Sequence, residues 1–431
     1  MYKLPTVRYN NLLYRTMKPS TIAIIILATG IFPAHSQDAP PISDPLAKNV
    51  ITDDLTDFDS GAYLTGDWGG LRPQLIDNGI TPFLYYDTIF GANVSGGIRA
   101  DQEFAGQVYG GFDLDLEKLF GIQGTMMKMS YVHRHGDSIS PSVGGIYDPM
   151  TIFGGQVSYL YQFFLETQFN DQWSLKFGRV SADTDFAKSP LYGYSLSTAI
   201  NGPIRATLLE NSITSFPYPV WGGRLKYNAT DEHQFQLGAY QTGPDQWDFT
   251  ANGLDFSFGD DDGVSVIAQY DWTPQINGRD ARFMLGAINS FRDFDNFDGE
   301  STTDFLFRAY LHGEMEVADG LKAFGMISYS DQHEVAKTPM QVSTGLNYQG
   351  LFPGRDDDTT FFFATYGQLS DDFGDSIGEN LSHELVYELG HRLQFTDFFY
   401  VQPSVQYIQN PGGTGDIDDA FVVGAWVGFK F

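Results

Sequence analysis

The 431-residue chain contains no cysteine, which excludes disulfides and thiolate metal sites without fixing a compartment. Basic residues are scarce, with 25 Lys plus Arg against 54 Asp plus Glu. Nucleic acid is therefore excluded as a partner, because binding it needs cations that neutralise phosphates. The plain reading of the surplus acid is a well-solvated surface. No internal window approaches 18 uninterrupted apolar residues, so helical membrane spans are excluded as well. G-x-S-x-G, P-loop and H-E-x-x-H patterns are missing, and no catalytic residue, metal or cofactor is expected.

What is plentiful points to β structure: 36 Phe, 24 Tyr and 47 Gly, without helical hydrophobic runs. The N-terminus carries an address. Lys3, Arg8, Arg15 and Lys18 precede the apolar core "TIAIIILATGIF" (Thr21–Phe32), and no acidic residue occurs before Asp38. Small residues at Ala34 and Ser36 then precede Gln37, so residues 1–36 read as a secretory signal peptide, with Met17 as an alternative start. Its removal leaves 21 basic against 54 acidic residues, a formal charge of −33. Residues 37–63 form a polar, acidic lead. "GDWGGLRPQLIDNGI" (Gly66–Ile80) predicts a short helix around Leu71–Ile76, ended by Asn78-Gly79.

After that the helical signal vanishes. Sixteen segments follow, near 80–92, 103–117, 124–136, 155–169, 172–180, 217–229, 232–243 and 262–273. The rest lie near 280–291, 302–317, 320–331, 339–350, 357–369, 382–395, 398–409 and 418–431. Most alternate at period two. In "DFLFRAYLHGEMEV", Phe305, Phe307, Ala309 and Leu311 share one face, and Leu306, Arg308, Tyr310 and His312 the other. In the closing "AFVVGAWVGFKF", Phe421, Val423, Ala425, Val427, Phe429 and Phe431 form one face.

The connectors after even-numbered segments are short ("ND", "AD", "TD"), and those after odd-numbered ones are mostly long. One of them runs to about 36 residues. Short turns on one rim and long loops on the other predict an all-β, sixteen-stranded antiparallel transmembrane barrel of the outer-membrane porin type. A soluble sandwich would bury its apolar face, whereas here Arg, Lys and Glu recur on the other face of strand after strand. Closure puts those charges around a wet lumen and the aromatics against outer-membrane lipid. Both termini are expected on the short-turn, periplasmic rim, and residues 64–431 form one barrel domain.

Such a lumen is wide enough for water, so selectivity requires something that narrows it. The long loop 181–216, with its Phe, Tyr, Leu and Ile, is the candidate, folded inward. Inward-facing Lys128, Arg134, Arg224, Lys226, Arg308 and Arg392, set against Glu166, Glu314, Glu384 and Glu388, are candidates for a polar eyelet. Carboxylates accept from sugar hydroxyls, guanidinium groups donate to them, and aromatic faces stack on sugar CH surfaces. Phe186, Tyr192 and Tyr194 supply those faces, expected near Arg224. His133 and His135 read as an incidental pair, and "FGDDDG" and "GRDDDT" as solvated acid, since neither fits a calcium loop.

Several stretches carry a family resemblance: "LTGDWGGLRPQLIDNGI", "NVSGG", "LKFGRV" with "DFAKSPLYGY", "FPYPVWGGRLKY", and "QYIQNPGG" before "DDAFVVG". In order and along Leu64–Phe431, they resemble the carbohydrate-selective porins of the OprB family. The resemblance implies a sixteen-stranded outer-membrane channel for the passive passage of glucose and related monosaccharides into the periplasm. It also implies pore roles for Arg179 in "KFGRV", towards which the same three aromatics are then expected, and for Trp221 and Arg224 in "VWGGR", and a terminal aromatic read by barrel-insertion machinery. Two alternatives remain at this level, a general unselective porin and a barrel hydrolase. The state is open between monomer and homotrimer.

Overall fold

The computed structural model describes residues 58–152, 155–201, 206–207, 210–211, 213–243, 246 and 252–431. The signal-peptide segment 1–36, and the lead up to residue 57, lie outside the described residues.

Seventeen strands pair in one sheet, one of them the two-residue bridge Gln275–Ile276. The other sixteen form the barrel. The first six are β1 (Ile80–Gly97), β2 (Asp101–Asp115), β3 (Thr125–Gly136), β4 (Ser158–Gln168), β5 (Trp173–Val180) and β6 (Val220–Asn228). Next come β7 (His233–Thr242), β8 (Gly263–Trp272), β9 (Arg279–Asp295), β10 (Thr302–Ala318) and β11 (Leu321–Tyr329). The last five are β12 (Met340–Gln349), β13 (Thr359–Gln368), β14 (His383–Thr396), β15 (Phe399–Gln409) and β16 (Asp418–Lys430). Each strand pairs antiparallel with its sequence neighbour, and β1 also pairs with β16, Tyr86 lying opposite Phe429. The ring is closed, which leaves no sheet edge for lipid to meet unpaired.

The two faces are inverted relative to a water-soluble sheet. In β10, Phe305, Phe307 and Leu311 are exposed, while Leu306, Arg308, Tyr310 and His312 are buried. In β14, Leu389 is exposed while Glu384, Glu388 and Arg392 are buried. Phe421 of β16 is exposed and Trp426 buried. A wall that shows apolar groups outward and covers charged ones is stable only in hydrocarbon. Near the short-turn rim the outer face carries stacked rings: Trp173 on Tyr227 at 4.4 Å, Phe235 on Tyr270 at 4.9 Å, and Trp272 beside Phe283 at 5.4 Å. Such a belt suits the membrane–water interface.

On the other rim, the first connector is only residues 98–100, because β1 and β2 run further than their sequence pattern indicated. Gly96 makes that hairpin possible. Its φ is +68°, and a Cβ there would lie 1.8 Å from the Asp419 carbonyl oxygen. At the short-turn rim the two ends of the described chain are stapled together. A helix, α1 (Leu71–Asp77), carries Arg72, whose Nη2 donates to the Phe431 carbonyl at 2.6 Å and whose guanidinium lies 3.7 Å over the Tyr63 ring. The Leu64 N–H donates to the Lys430 carbonyl at 2.9 Å.

Two loops pack into the lumen. Residues 181–219 join β5 to β6, and residues 137–157 join β3 to β4. Tyr147, Met150, Ile152, Leu196 and Ala199 from these loops share a buried cluster with Ile89, Val422 and Trp426 of the wall.

Candidate functional site: the loop-lined lumen

The long loop leaves β5 and is caught at once. Lys176 Nζ donates to both oxygens of Asp185 at 2.9 Å, and Arg224 Nε donates to Asp185 Oδ1 at 3.2 Å. Arg224 also pairs with Glu166 and donates to Ser174 Oγ at 2.9 Å. Two cations and two carboxylates thus form one compact cluster with little access to water. Burial would push the Asp185 carboxyl up, but Lys176 and Arg224 hold it below the usual carboxylate range.

The chain then crosses toward the opposite wall. Phe186 is fully buried and edge-on to Tyr240 at 6.1 Å, and the Ala187 N–H donates to Gln269 Oε1 at 2.9 Å. Ser189 Oγ donates to Glu314, which in turn meets His312 Nε2 at 2.9 Å. The Tyr192 hydroxyl lies 2.6 Å from His312 Nδ1, and its ring is 5.4 Å from Phe324. Tyr194 lies 5.9 Å from Phe361 and under Arg392, whose guanidinium is 4.5 Å from the Tyr194 ring and 4.4 Å from that of Tyr400. Arg392 Nη2 donates to the Gly193 carbonyl at 3.1 Å.

A second carboxylate holds the loop further on. Glu388 accepts from Ser195 Oγ at 2.5 Å, from the Leu196 N–H at 2.9 Å and from Ser404 Oγ at 2.7 Å. Arg308 reaches the far part of the same loop: its Nε donates to Asn211 Oδ1 at 3.0 Å and its Nη2 pairs with Glu210 at 3.3 Å. Arg134 donates to Gln107 Oε1 at 3.1 Å and lies 4.8 Å over the Phe216 ring.

Loop 137–157, for which the sequence showed only an 18-residue connector, is held in the same manner. The Ile146 and Tyr147 N–H groups donate to Glu384 at 2.7 and 3.2 Å, and the Tyr147 hydroxyl donates to Gln341 Oε1 across the lumen at 3.2 Å. Toward the short-turn rim a cavity of about 870 Å³ remains, lined by Asp171, Asp231, Glu232, Gln234, Asp271 and Arg282 among others. Arg282 pairs with Asp271 at 2.6 Å and donates to the Lys188 carbonyl at 3.0 Å.

Arg134, Glu166, Arg224, Arg308, Glu384 and Glu388 therefore stand on the inner wall, with Phe186, Tyr192 and Tyr194 on the loop facing it. Two expectations need correction. Arg179 and Trp221 do not line the lumen. Arg179 lies opposite Phe163 and Trp221 in the sheet, on the side of the exposed Phe177, and Trp221 stacks on Phe177 at 5.7 Å. Side chains of one strand alternate, and both residues have the outward parity. Tyr192 and Tyr194 likewise do not meet Arg179 or Arg224; they are carried to His312 and Arg392.

The sequence reading missed Asp185, Lys176, Ser195 and Gln269, and placed His312 on the inner face without giving it a role. Lys176 was legible from its inward parity between Ser174 and Gly178, whereas a loop residue such as Asp185 has no periodic signal. Of the acid-rich runs, Asp358 in "GRDDDT" is engaged by Arg355 at 2.7 Å, and no group of three metal-type ligands occurs among the described residues. Chemically, the inner surface offers guanidinium donors, carboxylate acceptors and ring faces at a narrowing made by two loops.

The comparisons with known proteins agree with this architecture. The sequence profile of the OprB family, "Carbohydrate-selective porin", matches residues 100–431, well over half of the chain. Porin B of Pseudomonas aeruginosa is 27% identical over 411 residues, covering 84% of this chain and 90% of that protein. A high-pH structure of Pseudomonas putida OprB superposes with a TM-score of 0.81 at 24% identity, over 86% of this chain and 99% of the other. The low-pH structure of the same protein gives a TM-score of 0.58 at 22% identity, over 87% and 100%. At those identities the structures speak for the fold, and the family match for the class. The chain belongs to the OprB family of carbohydrate-selective porins, as an outer-membrane β-barrel channel and not an enzyme.

Proposed function

We propose that this porin lets neutral monosaccharides such as glucose diffuse passively into the periplasm, and that the narrowing between loop 181–219 and the wall is the selective step. One observation carries the reading: the loop presents Tyr194 face-on to Arg392, beside Phe361 and Tyr400. Ring faces cover the CH surface of a sugar, and guanidinium and carboxylate groups exchange hydrogen bonds with its hydroxyls. Arg134, Glu166, Arg224, Arg308, Glu384 and Glu388 shape the opening and hold the loop, with Phe186, Tyr192 and Tyr194 as its apolar side. Binding must stay weak, because a tightly held sugar blocks a pore rather than crossing it.

The test is single-channel conductance of the purified protein in planar bilayers, with and without glucose. Glucose should reduce the ion current reversibly. Arg224→Ala should raise the open conductance and weaken the sugar block together. A wild-type current indifferent to glucose would overturn the selective reading in favour of a general porin.

A further inference from the structure

Arg179, next to last in β5, is only 6% exposed, yet its guanidinium donates no hydrogen bond among the described residues, and its Nε is buried there without a partner. Its company is the Phe256 ring, at 5.4 Å, and the charge of Asp255. A guanidinium N–H withdrawn from water without an acceptor is costly, and native structures rarely leave one so. Arg179 lines a cleft of about 340 Å³ on the long-loop rim, between the ends of β4–β7 and the residues 253–262 that cover them. That volume falls within the range of small-molecule sites.

The other walls of the cleft are of two kinds. Gln246 Nε2 is a second buried donor with no partner among the described residues. Asp255, Asp260 and Asp261 are exposed carboxylates that supply acceptors. Asp255 is already oriented, since its Oδ1 accepts from the Ser257 N–H at 2.9 Å and from the Ser257 hydroxyl at 2.7 Å. Asp262 is spent on structure, accepting from Gln241 Nε2 at 2.7 Å and from the Gly259 N–H at 2.6 Å.

We propose that this cleft is a saccharide-capture site at the outer rim, separate from the narrowing in the lumen. Its ligand is neutral and polyhydroxylated: hydroxyls accept from Arg179 and Gln246 and donate to Asp255, Asp260 and Asp261. An anion would be repelled by those carboxylates, and a metal cation would meet Arg179. The proposal rests on the carbohydrate reading above and adds a second, earlier point of contact. A captured sugar raises the local concentration at the mouth, so its effect belongs to the rate of arrival and not to the open conductance.

The full-length protein in planar bilayers tests this, with glucose added on the long-loop side. In Arg179→Ala the association rate of glucose block should fall about tenfold, the scale of a lost charged hydrogen bond, while conductance and residence time stay unchanged. Trp221 gives an independent readout, because its Nε1 donates to the Phe256 carbonyl at 2.9 Å beside the cleft. Glucose should change the fluorescence difference between wild type and Trp221→Phe, and that change should vanish in Arg179→Ala and in the exposed double variant Asp260→Asn/Asp261→Asn. Retention of both the wild-type association rate and the Trp221 response in these variants overturns the capture site. So does a Trp221 response to calcium alone and not to glucose. A Trp221 response without any current block would instead overturn the lumen reading and leave the rim site standing.

Discussion

Two of the attachments that hold the inward loop work by opposite means. At its start, Asp185 is clamped by Lys176 and Arg224, and Glu166 completes a four-charge cluster. In its middle, Glu388 holds Ser195 and Leu196 through neutral donors, with no salt bridge to Glu388 among the described residues. Both attachments are buried, but they fail differently. Removing one ion from a buried cluster strands its partners, which costs far more than the pair contributed. Removing one acceptor from a set of neutral donors leaves buried hydroxyls and N–H groups unsatisfied, a smaller loss of about 1–3 kcal/mol. The start of the loop is therefore the rigid attachment and the middle the adjustable one.

The largest effect should come from removing what the two attachments hold. Deleting residues 190–212 should raise open-channel conductance and abolish glucose block in planar bilayers; an unchanged current and block would move the narrowing elsewhere in the barrel. Next in size is Arg224→Ala, which leaves Glu166 and Asp185 with Lys176 alone. It should lower stability by about 3–5 kcal/mol in urea unfolding of the detergent-solubilised protein. Glu388→Gln should cost less, about 1–3 kcal/mol, and should show as increased current noise with a smaller shift of the unfolding midpoint than Arg224→Ala gives. Equal losses from these two substitutions would erase the distinction between the attachments.

A pH titration sharpens the contrast without mutation. The Asp185 carboxyl lies below its ordinary value of about 3.9 in the folded state, so its stabilisation is fully present above that value and is lost as pH falls through the folded one. Channel current from the wild type should thus stay quiet from neutral pH down to about 4 and become noisy only below it. Asp185→Asn should be noisy throughout. The smallest effect belongs to Tyr192→Phe, which loses the hydroxyl contact to His312 and should cost about 1 kcal/mol with conductance unchanged.

Much of this molecule follows from the sequence by itself. Period-two alternation in segments such as Phe305–Val317 and Phe421–Phe431 determined strand, face and barrel, because successive side chains must point to opposite sides of a sheet. The same rule marks Arg179, in step with Leu175 and Phe177, as outward, against the pore role that the motif implies. Only the tertiary structure decided what each inward charge meets. Asp185, Ser195 and Tyr147 lie in loops without periodicity, and their partners Arg224, Glu388 and Gln341 are 39, 193 and 194 residues away along the chain. Strand direction is set by neighbours two residues apart, whereas a loop folded across a lumen is positioned by whichever distant donors and acceptors the closed wall brings within reach.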